Sequence, residues 1–423
     1  MKPFQKIVLK NGMRVILVPR PESVATTVLV MVEAGSMYET KDINGLSHFL
    51  EHMCFKGTTR RPRAIDISGE LDGMGAEYNA FTSQEWTGYF AKVEASKTLK
   101  ALDLISDLYL NPVFDEKELE KEKGVVIEEI NMYEDLPPRR VQELFTQLLY
   151  GDQPAGWDIG GRKEVIQKLT RADLVKYRTH HYVAKATAIV VAGAFKAEEV
   201  SRDIDKHFLH VTVGDKTGKV ATKESQKKPA VFVKYKESDQ THVIVGCRAF
   251  DAFDQRRYAL DVLSDVLGGG MSSRLFERIR NELGAAYYVR SGTELLSDHG
   301  YLAVSAGVDH KKLMIVIEAI LQELKKFTEV LVPEHELQRA KDHLSGRMLL
   351  GLETSDDLAS FYGGQEILRE PIETPEIVLK KVKAITAEEI RRVAGDIIKD
   401  AGLNLALIGP YKKAAEFEKV LHF

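Results

Sequence analysis

The chain has 423 residues, 44% of them hydrophobic and 29% charged, with a formal net charge of -4. This length exceeds what one ordinary hydrophobic core supports, so at least two domains are expected. The near balance of 59 basic and 63 acidic residues argues against nucleic acid as the main partner. No segment approaches the length of a membrane span, and the N-terminal apolar run is too short and lysine-rich for a signal peptide.

The chain has 2 cysteines, Cys54 and Cys247, and neither lies in a CxxC or CxxH spacing. We predict that both are small core residues. So few cysteines are typical of a reducing compartment. The composition therefore predicts a soluble cytoplasmic protein with no membrane partner.

The first half of the chain begins with a predicted β-hairpin, in which residues 6–10 and 14–19 flank a turn at Asn11-Gly12. A third strand is predicted over residues 25–33. Apolar periodicity then indicates a series of helices, and a further strand over 187–194 follows them. The predicted helices lie around residues 46–56, 64–75, 95–110, 115–134 and 138–149.

The second half repeats the plan of the first. Strands predicted over 230–235 and 242–248 lead to a helix over 258–267. Gly-Tyr-Phe-Ala-Lys-Val at 88–93 is echoed by Gly-Tyr-Leu-Ala-Val-Ser at 300–305. An amphipathic helix is predicted after each echo.

An exposed linker is predicted between the two halves. Residues 214–228 contain two glycines, five lysines and few apolar side chains. With the internal repeat, this predicts two homologous α+β domains over residues 1–213 and 229–423. Each domain should be a mainly antiparallel β-sheet packed with α-helices.

His48, Glu51 and His52 form an HxxEH pattern in the first predicted helix. A helix places residues i, i+3 and i+4 on one face. Two neutral imidazoles bind Zn²⁺ without cancelling its charge, and Glu51 can accept the proton of the water on that ion as general base. This predicts a zinc site, against the alternative that three polar side chains merely decorate a solvated helix face.

A catalytic zinc site needs a third protein ligand. The predicted helix over 115–134 contains Glu122, Glu128 and Glu129. Glu122 and Glu129 share a helix face because they are seven residues apart. Spacing alone does not choose among the three carboxylates.

The second half should lack a metal site of its own. Its equivalent helix places Asp261, Ser264 and Asp265 where the first half has the HxxEH residues. These side chains cannot form the same histidine pair. One zinc ion per chain is therefore predicted.

The HxxEH pattern lies within a longer segment that resembles a known family. Residues 35–39 read Gly-Ser-Met-Tyr-Glu, and residues 45–58 read Gly-Leu-Ser-His-Phe-Leu-Glu-His-Met-Cys-Phe-Lys-Gly-Thr. This text resembles the pitrilysin/insulinase family of zinc peptidases. The family pattern continues with a glutamate after 76 intervening residues, here positions 53–128, which implies Glu129 as the third ligand. A supporting glutamate seven residues earlier implies Glu122 as the partner of a ligating histidine.

The resemblance also implies substrate contacts. Asn79, Ala80 and Phe81 resemble the family's edge strand beside the metal, where a peptide adds as an extra strand. Arg280 and Tyr287 match the family's R-x6-Y pair, which implies that Tyr287 donates to the oxyanion and Arg280 anchors the substrate backbone. Without the resemblance, an ordinary edge strand and an exposed arginine would be preferred.

The function implied is a zinc-dependent endopeptidase acting on peptides or unfolded segments. Family members enclose a chamber with four such domains, so a two-domain chain is expected to form a homodimer, or a heterodimer with a related chain. Arg280 and Tyr287 would then face the metal site of the partner. Two rivals are a non-catalytic structural subunit of the same family and a zinc-binding module without turnover. Structural members typically lack part of the metal motif, so the presence of all four site residues ranks that rival low. Loss of cleavage in Glu51→Gln with zinc retained would distinguish an enzyme from the binding module.

Overall fold

The computed structural model describes residues 3–423, which contain eleven β-strands and fifteen α-helices. The strands are β1 Gln5–Val8, β2 Arg14–Pro19, β3 Ala25–Val32, β4 Glu77–Thr82, β5 Thr87–Glu94, β6 Thr187–Gly193, β7 Ala230–Tyr235, β8 Thr241–Ala249, β9 Ala286–Leu295, β10 Gly300–Val308 and β11 Leu403–Gly409. The helices are α1 Leu46–Cys54, α2 Ala64–Gly73, α3 Thr98–Leu110, α4 Glu116–Glu134, α5 Pro137–Tyr150, α6 Lys163–Ile166, α7 Arg171–His181, α8 Ala197–Phe208, α9 Arg257–Gly268, α10 Leu313–Glu329, α11 Glu334–Leu350, α12 Ser355–Ile367, α13 Pro375–Ala384, α14 Ala387–Ile397 and α15 Ala415–Glu418.

The chain forms two compact units, and neither is contiguous in sequence. The first unit comprises the residues up to Asn131 together with Trp157–Val220 and Leu350–Thr374. The second comprises Met132–Gly156, Ala221–Leu349 and Pro375–Phe423. Each unit therefore includes a segment from the other half of the sequence. The boundaries predicted from the sequence are 1–213 and 229–423, with a linker at 214–228. They do not anticipate that each unit takes a segment from the other half.

The first unit is built on a six-stranded sheet in the order β1-β2-β6-β3-β5-β4. Only the β2–β6 pair among these strands is parallel. Helices α1, α3 and α8 contribute to the apolar core on one face, and α12 packs on the other face against β3 and β6. Strand β4 lies at one end of this sheet.

The second unit has the same plan. Its five-stranded sheet has the order β7-β11-β8-β10-β9, and only the β11–β7 pair in it is parallel. Helices α9, α10 and α14 form the core on one face, and α5 packs on the other against β8 and β11. These two mainly antiparallel sheets with their helices confirm the α+β fold class predicted from the sequence.

Local sequence signals explain where several elements begin. Gly12 lies at φ +87° in the turn between β1 and β2, a backbone conformation that favours glycine. Three helices start with a threonine whose side chain accepts from the N–H three residues later, where an acidic side chain bonds back. These N-caps are Thr170, Thr354 and Thr386. No helix within residues 3–423 combines the length and apolarity needed to span a membrane.

Candidate metal centre

Helix α1, which carries the HxxEH residues, is packed firmly against the first sheet. Its apolar side is fully buried, and the helix lies against β4 and β5. The opposite side presents His48, Glu51 and His52, as the helical spacing predicts. The buried apolar residues are Leu46, Phe49, Leu50 and Met53.

The start of α1 is capped by a buried carboxylate that sequence reasoning gave no role. Glu39 accepts hydrogen bonds from the backbone N–H groups of Gly45 at 2.7 Å and Ser47 at 2.6 Å. These are donors that a helix start leaves unpaired. Gly45 lies at φ +98°, and a Cβ there would come within 2.7 Å of the Gly160 oxygen. Glu39 belongs to the Gly-Ser-Met-Tyr-Glu segment, which is the only signal that could have pointed to it.

Glu39 should make stability depend on pH between about 5 and 7. Burial raises its pKa from 4.5 to about 7, although the N–H groups of Ser47 and Gly45 oppose the rise. In this window the folded chain binds a proton that the unfolded chain has released, so the free energy of unfolding falls as pH rises. The slope from one such group is at most about 1.4 kcal/mol per pH unit, and it should fade as pH rises through and beyond 7.

Urea unfolding of the unmodified chain and of Glu39→Gln, both with a chelator, measures this slope between pH 5 and 8. Glutamine does not titrate, so the difference between the two proteins isolates Glu39. Parallel pH profiles for the two proteins would contradict the prediction.

The structure brings His48, His52 and Glu129 together. The Nε2 atoms of His48 and His52 are 3.3 Å apart, and Glu129 Oε2 lies 3.6 Å and 3.4 Å from them. Their side chains are 14%, 22% and 24% exposed, so water can reach the triangle. Within residues 3–423, no other group of three or more His, Cys, Asp or Glu side chains has its ligand atoms all within 4.8 Å of one another.

This triangle fits a zinc ion. Zinc bonds to imidazole nitrogen and carboxylate oxygen are roughly 2.0–2.2 Å long, so two tetrahedral ligands stand roughly 3.3–3.6 Å apart. The three observed donor separations lie in this range. Three protein donors leave one tetrahedral position for water or substrate, as a catalytic site requires. The helix spacing left Glu122, Glu128 and Glu129 open as third ligand, and Glu129 is the one in the triangle.

Glu122 lies behind His52 rather than in the triangle. Its Oε1 is 2.9 Å from His52 Nδ1, and its Oε2 forms an ion pair with Lys56 Nζ at 2.6 Å. Burial lowers the pKa of His52, but hydrogen bonds with Glu122 and Glu129 raise it to about 9. Donation from Nδ1 to Glu122 leaves Nε2 as the nitrogen that can bind a metal. Lys56 has no role in the sequence analysis, although it lies in the segment that carries the family resemblance.

Glu122→Gln should weaken zinc binding by about 10–100-fold, the usual effect of losing the partner of a ligating histidine. The amide is neutral and no longer stabilises the Nδ1–H tautomer of His52 as strongly. Competition with a fluorescent chelator measures the zinc Kd. Glu120→Gln, at an exposed position on the same helix, is the control. Equal zinc Kd values for both variants would refute this role for Glu122.

Glu51 lies beside the triangle on the same face of α1. Its Oε2 accepts a hydrogen bond from Thr82 Oγ1 at 2.5 Å. Burial raises the pKa of the Glu51 carboxyl above its ordinary value, and the Thr82 hydrogen bond opposes this. A carboxylate in this position can exchange a proton with water near the triangle. Thr82 is the last residue of β4, the predicted substrate strand, but no spacing rule connects it to Glu51.

The predicted substrate residues lie on β4, the last strand of the first sheet. Asn79 is exposed, and its Oδ1 accepts from the Ala80 N–H at 2.9 Å. Ala80 is buried in the core beneath β4, whereas the ring of Phe81 covers Gly88 on β5. The strand thus lies at a sheet edge, and contact of these residues with a substrate stays a prediction.

Arg280 and Tyr287 are neighbours within the second unit. Arg280 lies in a π-helical segment, Phe276–Glu282, and donates from its guanidinium to the Tyr287 backbone oxygen at 2.9 Å. The Tyr287 side chain is 74% exposed at the start of β9. The phenol is therefore available for an outside partner, and its role toward an oxyanion stays a prediction.

The second-unit equivalents of the HxxEH residues make ordinary contacts. Asp261 accepts from Thr293 at 3.0 Å, and the Ser264 hydroxyl lies 3.1 Å from the Ser291 hydroxyl. Asp265 pairs with His343 at 2.8 Å.

Comparison with known proteins gives matches along most of the chain. Residues 14–161 match the model for insulinase (peptidase family M16), and residues 168–344 match the peptidase M16 inactive domain. The uncharacterized zinc protease YmxG of Bacillus subtilis is 34% identical, covering 96% of this chain and 98% of that protein. An uncharacterized zinc protease of Streptomyces coelicolor is 31% identical, covering 96% and 90%.

Solved structures show the same architecture. A protease from Helicobacter pylori superposes with a TM-score of 0.89 at 25% identity, covering 96% of this chain and 99% of that one. A peptidase M16 inactive domain from Pseudomonas fluorescens has a TM-score of 0.89 at 18% identity, covering 97% and 98%, which shows the fold alone.

The fold and the His-His-Glu triangle together are those of a two-domain protein of the zinc-peptidase type. The chain belongs to peptidase family M16, the insulinase family. This confirms the resemblance inferred from the HxxEH segment.

Proposed function

We propose that the chain is a zinc-dependent endopeptidase that cleaves peptides or unfolded segments. One observation carries the proposal: three donors from α1 and α4 converge at tetrahedral spacing, and Glu51 lies close enough to interact electrostatically with His52 and Glu129. A carboxylate beside a zinc-bound water is placed to act as its general base. Relatives in Bacillus subtilis and Streptomyces coelicolor carry the name zinc protease, which supports the same activity.

The chain's own residues would divide the work. His48, His52 and Glu129 would hold Zn²⁺, which would polarise the scissile carbonyl and make a water molecule more acidic. Glu51 would accept the proton of the attacking water and return it to the leaving amine nitrogen. Glu122 would hold His52 in the tautomer that ligates.

The substrate is proposed to bind as an added strand along β4. Backbone hydrogen bonds to an edge strand accept many sequences, and pockets for alternate side chains provide the selectivity. Asn79, Ala80 and Phe81 are the predicted contacts on this strand. An extended peptide has backbone N–H and C=O groups free to pair with β4, whereas a folded protein rarely offers a free strand.

The complete enzyme is proposed to be a homodimer that encloses its substrate. In that arrangement Arg280 and Tyr287 would face the metal site of the partner chain, where the exposed phenol could donate to the oxyanion. Size-exclusion chromatography with light scattering tests the dimer.

Cys54 and Cys247 are buried and unpaired, which is consistent with the predicted cytoplasmic location.

Metal analysis combined with cleavage of a diverse peptide library tests the proposed function directly. We expect one zinc ion per chain and cleavage at internal bonds that a chelator abolishes and added zinc restores. Bound zinc without any cleavage would favour the rival zinc-binding module. Neither zinc nor cleavage would favour a structural family member.

A further inference from the structure

Thr82 links the strand proposed to bind substrate with the proposed catalytic base. Its Oγ1 donates to Glu51 Oε2 at 2.5 Å. A hydroxyl donating to an ionised carboxylate makes one of the stronger hydrogen bonds in proteins. The bond joins the end of β4 to the middle of α1, 31 residues earlier in the chain.

The backbone at Thr82 is well held. The next residue, Ser83, closes the β4–β5 hairpin through hydrogen bonds with Trp86, and its backbone oxygen accepts from the Ser36 N–H at 3.2 Å. A Cβ on Gly35 would lie 2.4 Å from the Ser83 oxygen, so the segment after β3, which contains Gly35 and Ser36, is in close contact with the β4–β5 hairpin. A hydroxyl on such a frame has little freedom to follow a moving carboxylate.

We infer that Thr82 is a positioning residue that holds Glu51 by Oε2 and directs Oε1 toward the attacking water. This inference rests on the proposed function of Glu51 as the base. A carboxylate held by one oxygen keeps its second oxygen in a defined place, which is the geometric requirement for efficient proton transfer. Strand β4 would thereby both bind the peptide and orient the Glu51 carboxylate that activates water for attack on that peptide.

Two substitutions at one position separate this role from simple packing. Thr82→Val keeps the branched shape and removes the hydroxyl, whereas Thr82→Ser keeps the hydroxyl. We expect Thr82→Val to lower kcat by about 10–100-fold with KM changed less than about threefold, because a charge-assisted hydrogen bond is lost. Thr82→Ser should restore kcat to within about fivefold. Zinc content should be the same in all three proteins.

Thr87→Val is the matched control. Thr87 lies opposite Thr82 in the β4–β5 ladder, and its hydroxyl donates to the Ala34 backbone oxygen at 2.8 Å. The Thr87→Val change removes a threonine hydroxyl from the neighbouring strand, at a more buried position than Thr82, without touching Glu51. Its kcat should stay close to that of the unmodified chain.

The outcomes separate this inference from the proposed function. If the unmodified chain cleaves peptides and Thr82→Val keeps full kcat, the positioning role is wrong and the endopeptidase proposal stands. If the zinc-loaded chain cleaves nothing, the endopeptidase proposal fails, and crystal structures of the variants decide the positioning role. Displacement of the Glu51 carboxylate in Thr82→Val, but not in Thr82→Ser, would support it; an unmoved carboxylate in both would refute it.

Discussion

Glu51→Gln should lower kcat for peptide cleavage by about 10²–10⁴-fold and leave zinc bound. General base catalysis by a positioned side chain contributes a factor of this size. Glutamine has nearly the same shape and keeps an oxygen that can accept from Thr82, but it cannot take a proton from water. The donor triangle of His48, His52 and Glu129 does not include this side chain, so metal affinity should change little.

Steady-state kinetics with a cleaved peptide from the library, together with metal analysis, measure both quantities. Glu128→Gln is the control, because Glu128 is an exposed carboxylate on α4 that bonds Asn131 at 3.3 Å. A Glu51→Gln variant with near-normal kcat would show that another group serves as the base. Loss of zinc in this variant would show that Glu51 is a ligand.

Glu129→Gln should raise the zinc Kd by at least about 100-fold, more than the roughly 10–100-fold expected for a residue that only supports a ligand. The change replaces an anionic ligand by a neutral amide and leaves two imidazoles to hold the ion. A ligand that binds only the folded state stabilises it by about 4 kcal/mol when present at 1,000 times its Kd. Zinc should therefore raise the Tm of the unmodified chain strongly and that of Glu129→Gln weakly.

Glu128→Gln is again the matched control, one position away on the same helix. Chelator competition gives the zinc Kd, and thermal unfolding with and without zinc gives the stabilisation. If Glu128→Gln and Glu129→Gln bind zinc equally well, the donor triangle described here is not the binding site.

The secondary structure around the site could be predicted because its signals are local. The period of apolar residues and the glycine before Leu46 are sufficient for α1, and the glutamate-rich helix over 115–134 matches α4 closely. Which face of α1 would carry chemistry also followed from spacing alone. The choice of Glu129 did not, because helices bring their side chains together only through tertiary packing; it came from the family pattern.

Apart from Glu122, which the family pattern implied, the supporting contacts of the site could not be predicted from the sequence. Glu39 and Thr82 bond to α1 across 6 and 31 residues of chain, and Lys56, just after α1, pairs with Glu122 on α4. No periodicity relates residues at such separations, because loop conformation decides where they meet. The π-helical turn around Arg280 was equally hidden, since helix propensity does not distinguish it from an α-helix.

Packing of α12 on the first sheet sets the order in which the chain can reach its native state during synthesis. Leu358, Ala359 and Tyr362 cover apolar side chains of β2, β3 and β6 that would otherwise face water. A ribosome must therefore translate well past Tyr362 before that face is closed, although all six strands of the sheet have emerged about 170 residues earlier. The nascent polypeptide consequently exposes one apolar face of a complete sheet while about 170 further residues are translated, and during this interval it depends on chaperones to avoid aggregation.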